Sequence, residues 1–391
     1  MTTTKFPNFP KKLRILFITN IISPYMDDLF NYFSKYSNEV DFKVVACSYT
    51  EPDREWSLEY LKSTNYKFEI LKDAKLIKGP GKNRFIYLGG FSLLKEISKY
   101  DAIVFKGGTR LIGPFYSFLA RILGIKTVLW EENSVETTDT LIKQLLKSIY
   151  INKNLFSSFI AYGAPVKELI EKFNKNVSAK IFFSSSPIKN EKFRQRYLKL
   201  FPKRALIRKK LGISAEKKAI LFVGRFVDEK NIFILIDSIE KIVKDGEENI
   251  LCFLVGGGYL EKVFIEHIKD KKLENFIRIL PFLEFNKLSM FYSVSDIFVL
   301  PSKWEPWGLV VNEAMNFSLS VIVSDRVGCA RDLVKNDING YVFPFENSEK
   351  LSECILKSVK TSDRLGENSY KIIQNVNFDA VCKTIINAAS I

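Results

Sequence analysis

The chain has 391 residues, 47% of them hydrophobic and 14% aromatic, which is too long for one ordinary core and too apolar for a disordered or fibrous protein. Two folded domains are therefore expected. The net charge of +15 points to anionic partners, and five cysteines, odd in number and without Cys-x-x-Cys spacing, argue for buried thiols in a reducing compartment and against a zinc site.

No run reaches ~18 uninterrupted apolar residues, and residues 1–10 lack the apolar core of a secretory signal, so a cytoplasmic or membrane-peripheral protein is expected. From residue 13 onward, apolar strands alternate with helical patterns, the mark of parallel sheets covered on both faces. Strands are predicted at 13–19, 40–47, 68–71, 102–105, 126–130, 158–161 and 180–184, with helices at 26–36 and 111–123 among them. These make one Rossmann-like domain over residues 1–195. Two of its strand ends carry ligand-binding candidates: Arg110 in the turn Gly107-Gly108-Thr109-Arg110, and Glu131, Glu132 and Asn133 after the 126–130 strand.

Between Leu141 and Lys210 the chain carries seventeen basic residues and three acidic ones. Within that stretch, residues 189–210 interleave Lys and Arg with large apolar side chains, a composition that suits an anionic membrane surface. Residues 196–216 read as a basic linker. A second domain over 217–375 has predicted strands at 219–223, 250–255, 277–280, 296–300 and 320–323, again followed by turns and helices.

Four features of this second domain fall at strand C-terminal ends. Gly224-Arg225, followed by Lys230, sets two cations beside a glycine that admits close backbone approach. Gly256-Gly257-Gly258 supplies a second such turn, and Pro281-Phe282-Leu283 a third loop. The fourth is Glu305-Pro-Trp-Gly308-Leu309-Val310-Val-Asn-Glu313, in which a helix is predicted to open at about residue 307. The amides of Gly308, Leu309 and Val310 then suit a phosphate, and Glu305 and Glu313 suit the neutral hydroxyls of a sugar or ribose. The lone histidine, His267, lies in a predicted helix away from these loops.

The segment from Glu305 to Glu313 resembles the E-x7-E signature of the retaining glycosyltransferases of family 4, with its glycine three residues after the first glutamate. The resemblance is specific over about 219–350 and looser elsewhere. It implies the GT-B architecture, two Rossmann-like doubly wound domains facing across a cleft, with the first binding acceptor, the second binding the nucleotide sugar, and residues 376–391 forming a helix that packs back on the first. It further implies that Arg225 and Lys230 grip the donor diphosphate in place of a metal, that Glu305 binds the donor sugar and Glu313 the ribose, and that Gly224, Gly256, Gly257, Gly308, Leu309, Val310 and Pro281 to Leu283 line the donor site. The donor would be UDP- or GDP-linked, the acceptor a glycan or a lipid-linked group, and no further cofactor is implied.

Many relatives place a histidine after the strand equivalent to 126–130, where this chain has Glu131, Glu132 and Asn133. Acceptor-side candidates are therefore these three and Arg110, the latter for an acceptor phosphate or carboxylate. Two other classes stand beside this reading. An epimerase or glycan phosphorylase would share the architecture, but acid/base groups about the sugar or a cofactor lysine are not identifiable. A nucleic-acid-binding protein would explain the charge but not the two glutamates.

Overall fold

The computed structural model describes residues 11–50, 58–78, 85–106, 112–132, 151, 155–174 and 180–391, and the chain divides into two compact units. Unit 1 comprises residues up to 185 together with 378–391, and unit 2 residues 186–377.

Unit 1 contains β1 (Leu13–Thr19), β2 (Val40–Ala46), β3 (Lys67–Ile70), an antiparallel hairpin of β4 (Lys75–Lys78) and β5 (Phe85–Leu88), then β6 (Ala102–Lys106), β7 (Lys126–Glu131), β8 (Ser158–Tyr162) and β9 (Ile181–Ser184). Apart from the hairpin they form one sheet in the order β3-β2-β1-β6-β7-β8-β9, parallel throughout. Such strands are nearly continuous apolar runs because helices cover both faces, and β6 and β8 are buried at every position. The first helix, Pro24–Phe33, starts where Ser23 caps the Met26 amide and Pro24 occupies the first turn. Its Phe30 and Phe33 meet Phe17 of β1 edge-on, with ring centroids 5.1 and 5.6 Å apart.

The helix Phe378–Ser390 is an integral part of unit 1. It buries Phe378, Val381, Cys382, Ile385 and Ile386 in that core, and its Ala388 and Ser390 carbonyls accept bonds from Ser158 and Lys126.

Unit 2 contains β10 (Lys218–Val223), β11 (Ile250–Val255), β12 (Ile277–Leu280), β13 (Ile297–Leu300), β14 (Ser320–Ser324) and β15 (Gly340–Phe343), all parallel in the order β12-β11-β10-β13-β14-β15. This is the doubly wound order, and the direction of winding reverses between β10 and β13. In doubly wound sheets such a reversal point is where ligands are bound.

Residues 196–216 are not a linker, and the boundary between units lies at 185/186 rather than 195. The segment folds mainly into the helices Asn190–Leu200 and Arg204–Lys210, which belong to unit 2. Its arginines hold them there. Arg204 and Arg208 donate to the carbonyls of Ser293 and Val294 at the end of the helix Phe285–Val294, where the helix dipole favours cations, and both pair with buried Asp296 at 2.7 and 3.3 Å. Arg196 donates to Ser289 and to the Asn286 carbonyl. Arg194 donates to Ser318 and stacks over Tyr197 and Tyr370. These charges serve the packing of unit 2. The basic residues left exposed in 189–210 are Lys189, Lys192, Lys199, Lys203, Lys209 and Lys210, in the same stretch as exposed Leu198, Phe201 and Leu206.

All five cysteines are buried, and burial raises the thiol pKa of Cys252, Cys329 and Cys382. Among the described residues no helix is long and apolar enough to cross a membrane.

Candidate functional site

At the C-terminal edge of the unit 2 sheet, loops after β10 and β13 meet on either side of the reversal. After β10, Gly224 and Arg225 lead into a 3-10 turn, Asp228–Lys230, which ends at Asn231 in the left-handed conformation (φ 53°). The Asn231 amide group is anchored on the Phe345 carbonyl, which fixes where the turn delivers Lys230. From β13, residues 301–308 cross toward the same turn. The Lys303 amide donates to the Glu229 carbonyl (2.9 Å), and its ammonium pairs with Asp228 (2.7 Å). These links bring Lys230 Nζ into an ion pair with Glu305 Oε2, both side chains largely withdrawn from solvent. Arg225 is exposed at the mouth of the same loop.

Glu305 is held from behind. Its amide donates to Arg326, and its carbonyl accepts from Gly328 (2.8 Å). Three residues on, Gly308 turns with φ 95° and caps the helix Leu309–Asn316. A side chain there would be strained by φ and would press on Leu300 and Val327 at 3.1 Å, so only glycine brings the helix start this close to Glu305. The amides of Leu309 and Val310 open the helix, where no acceptor exists within it. Trp307, buried, donates from Nε1 to Asn312 (3.0 Å) and ties the entry loop to the helix.

Glu313 lies one turn further in and is only 6% exposed. The Tyr292 hydroxyl donates to its Oε2 at 2.9 Å, which fixes the carboxylate's orientation. Buried carboxylates need such partners.

The glycine turn after β11 packs against the loop after β10. A Cβ on Gly256 (φ 153°) would lie 1.9 Å from the Gly224 carbonyl oxygen, and one on Gly258 (φ 155°) 2.5 Å from that of Phe226. Both therefore serve close packing of the chain on itself, and this packing shapes the Gly224 loop. Gly257 alone of the three meets no backbone there, its nearest neighbour being the Glu261 side chain at 3.7 Å. Pro281 and Phe282 are exposed and Leu283 partly so, beyond β12 at the outer edge of the sheet. His267 sits apart, beside Asp237 and Phe233.

Of the candidates in unit 1, Arg110 and Asn133 lie outside the described residues. Glu131 ends β7, is 6% exposed, and accepts the Glu132 amide at 3.0 Å. Glu132 forms an ion pair with Lys106, the last residue of β6. Sequence reasoning missed Lys106, because a lysine ending a strand looks like any solvated terminus, yet its side chain is 10% exposed and burial draws its pKa down to about 7 against the upward pull of Glu131.

Residues 203–372 match the family described as glycosyl transferases group 1. The chain is 27% identical over 189 residues to an uncharacterized glycosyltransferase of Methanocaldococcus jannaschii, covering 47% of each protein. It is 34% identical over 178 residues to the glycogen synthase of Aquifex aeolicus, covering 43% of this chain and 36% of that enzyme. The chain thus spans about half the length, or less, of these curated relatives. Across 97% of its length it shares the fold of Anabaena HepE, solved in complex with UDP, with a TM-score of 0.75 at 17% identity over all of that chain. The fold is GT-B, two α/β domains each built on a parallel sheet.

Proposed function

We propose that the chain is a glycosyltransferase whose unit 2 binds a nucleoside diphosphate sugar and whose unit 1 binds the acceptor. The observation that carries this reading is the constellation beyond β10 and β13, with Lys230 against Glu305 and a glycine-capped helix start three residues on. The match of residues 203–372 to glycosyl transferases group 1, in relatives that include a glycogen synthase, supports it.

In this reading the donor diphosphate lies against Arg225, Lys230 and the amides of Leu309 and Val310, which meet its negative charge without a metal. Glu305 takes hydroxyls of the donor sugar, and Glu313, steadied by Tyr292, takes the ribose. Transfer proceeds with retention. The bond from the anomeric carbon to the diphosphate oxygen breaks, the acceptor oxygen bonds that carbon from the same face, and the acceptor proton passes to the departing phosphate oxygen. Each cation is placed where charge grows on the leaving group, so its contribution is largest in the transition state.

The test is thermal stabilisation by UDP, GDP, ADP, CMP and dTDP, with EDTA and with magnesium. One nucleoside diphosphate is expected to raise Tm in both media, and Arg225→Ala and Glu313→Ala to abolish the rise. No rise with any nucleotide would remove the reading, and a rise only with magnesium would remove its metal-free form.

The acceptor is proposed to belong to a cell-surface polysaccharide, lipopolysaccharide or glycolipid, met at the cytoplasmic membrane face. What supports the membrane contact is the run of exposed Lys199, Lys203, Lys209 and Lys210 interspersed with exposed Leu198, Phe201 and Leu206. Wild type should sediment with anionic vesicles at moderate salt and a Leu198→Ser/Phe201→Ser/Leu206→Ser variant should not. Equal sedimentation of the two would remove this contact.

A further inference from the structure

We propose that three asparagines, Asn312, Asn316 and Asn190, join the helix Leu309–Asn316 to both chain connections that leave unit 2, so that a bound nucleoside diphosphate steadies those connections. The inference rests on the glycosyltransferase reading and assigns the three as positioning residues for its donor site. The chain enters unit 2 at Ser186 and leaves it after Asn377. Both ends are hydrogen-bonded into one network that starts on this helix.

Asn312 and Asn316 stand four residues apart on one face of the helix, and both are fully buried. Asparagine is a weak helix former and a buried amide is costly unless bonded, so two of them here call for partners. Asn312 accepts from Trp307 Nε1 (3.0 Å) and donates to the Ser186 carbonyl (2.8 Å), at the entry connection. Asn316 donates to the Asn312 carbonyl (2.9 Å) and to Asn190 Oδ1 (2.8 Å). Asn190, at the start of the helix Asn190–Leu200, donates in turn to the carbonyls of Ile373 (3.1 Å) and Val376 (2.8 Å), where the long helix Ser348–Ile373 runs out into the exit connection. The amides of Leu309 and Val310 lie between Trp307 and Asn312, and Glu313 follows Asn312 directly. A ligand held by those groups braces the turn from which both arms of the network start. Opening of either connection then costs more with ligand bound than without, and by reciprocity loss of the network weakens the ligand.

The test is hydrogen exchange of the full chain, with and without a saturating amount of the nucleoside diphosphate that raises Tm, read on peptides spanning 186–190 and 373–377. In wild type both peptides are expected to exchange at least about fivefold more slowly with nucleotide, the lower end of usual coupling strengths. Asn190→Ala should lose that slowing at 373–377 and keep it at 186–190, where Asn312 still holds Ser186, and its Kd for the nucleotide should rise by a comparable factor. Asn190→Asp keeps the acceptor for Asn316 and gives up both donors, so it should behave alike and supplies the answer if Asn190→Ala does not fold. An asparagine with a merely structural role would speed exchange at 373–377 equally with and without nucleotide, leaving the slowing by nucleotide in place. That result, or no slowing at either peptide in nucleotide-saturated wild type, would overturn the proposal while the glycosyltransferase reading stands. If no nucleotide raises Tm, that reading falls and this proposal with it.

Discussion

Glu305→Gln is expected to bind the stabilising nucleoside diphosphate more tightly than wild type while losing most of its transfer activity. In the unliganded site Glu305 already holds the Lys230 ammonium, with the two side chains only 17% and 15% exposed. An incoming diphosphate must take that cation from an internal anion of like charge. Glutamine keeps the size and a hydrogen-bonding oxygen but gives up the charge, which frees Lys230 for the ligand. Kd should fall about tenfold, equivalent to ~1.4 kcal/mol. Turnover should fall by roughly 10²- to 10³-fold, the usual cost of removing one group that stabilises the transition state. Calorimetry with the nucleotide and turnover with its sugar conjugate decide the matter. Weaker binding in Glu305→Gln would show that the ion pair does not compete with the donor.

Lys230→Ala should have the opposite and larger effect on binding. It removes the cation and leaves a mostly buried carboxylate facing the diphosphate, so attraction is lost and repulsion gained together. An affinity loss on the order of 10²- to 10³-fold, about 3–4 kcal/mol, is expected. The double variant Lys230→Ala/Glu305→Ala should then recover part of the affinity missing from Lys230→Ala, because the unopposed carboxylate is gone. Strictly additive losses in that cycle, read by the same calorimetry, would mean that Lys230 and Glu305 act on the donor independently.

The strands of both sheets were legible because fully buried parallel strands are unbroken apolar runs between turn residues, as in residues 250–255 and 297–300. β15 escaped notice since Gly-Tyr-Val-Phe is short and begins on a glycine. The loops of the candidate site were marked in the sequence as well, since glycines, cations and glutamates at strand ends stand out. What those glycines do was not, because Gly256 faces the chain's own Gly224, and no local pattern distinguishes that from a ligand. Residues 189–210 were ambiguous for a related reason. Alternating arginines and apolar residues describe a membrane-facing helix as well as one clamped onto Asp296 and a helix C-terminus, and only the tertiary partners separate the two. Replacing Arg194, Arg196 and Arg204 would therefore disturb unit 2 itself, whereas the exposed Leu198, Phe201 and Leu206 address the surface alone. Lys106 was invisible for want of any sequence mark of burial.

The chain path has a consequence for how the molecule is made. Unit 2 is one uninterrupted segment, residues 186–377, whereas unit 1 is assembled from both sides of it. The helix that fills the core of unit 1 with Phe378, Val381 and Ile385 is translated only after the whole of unit 2. Domains fold as they emerge, so on the ribosome the domain begun first is the one completed last, and its sheet waits with an uncovered apolar face while its neighbour folds. A nascent chain stalled before residue 378 would be the form of this protein most in need of a chaperone.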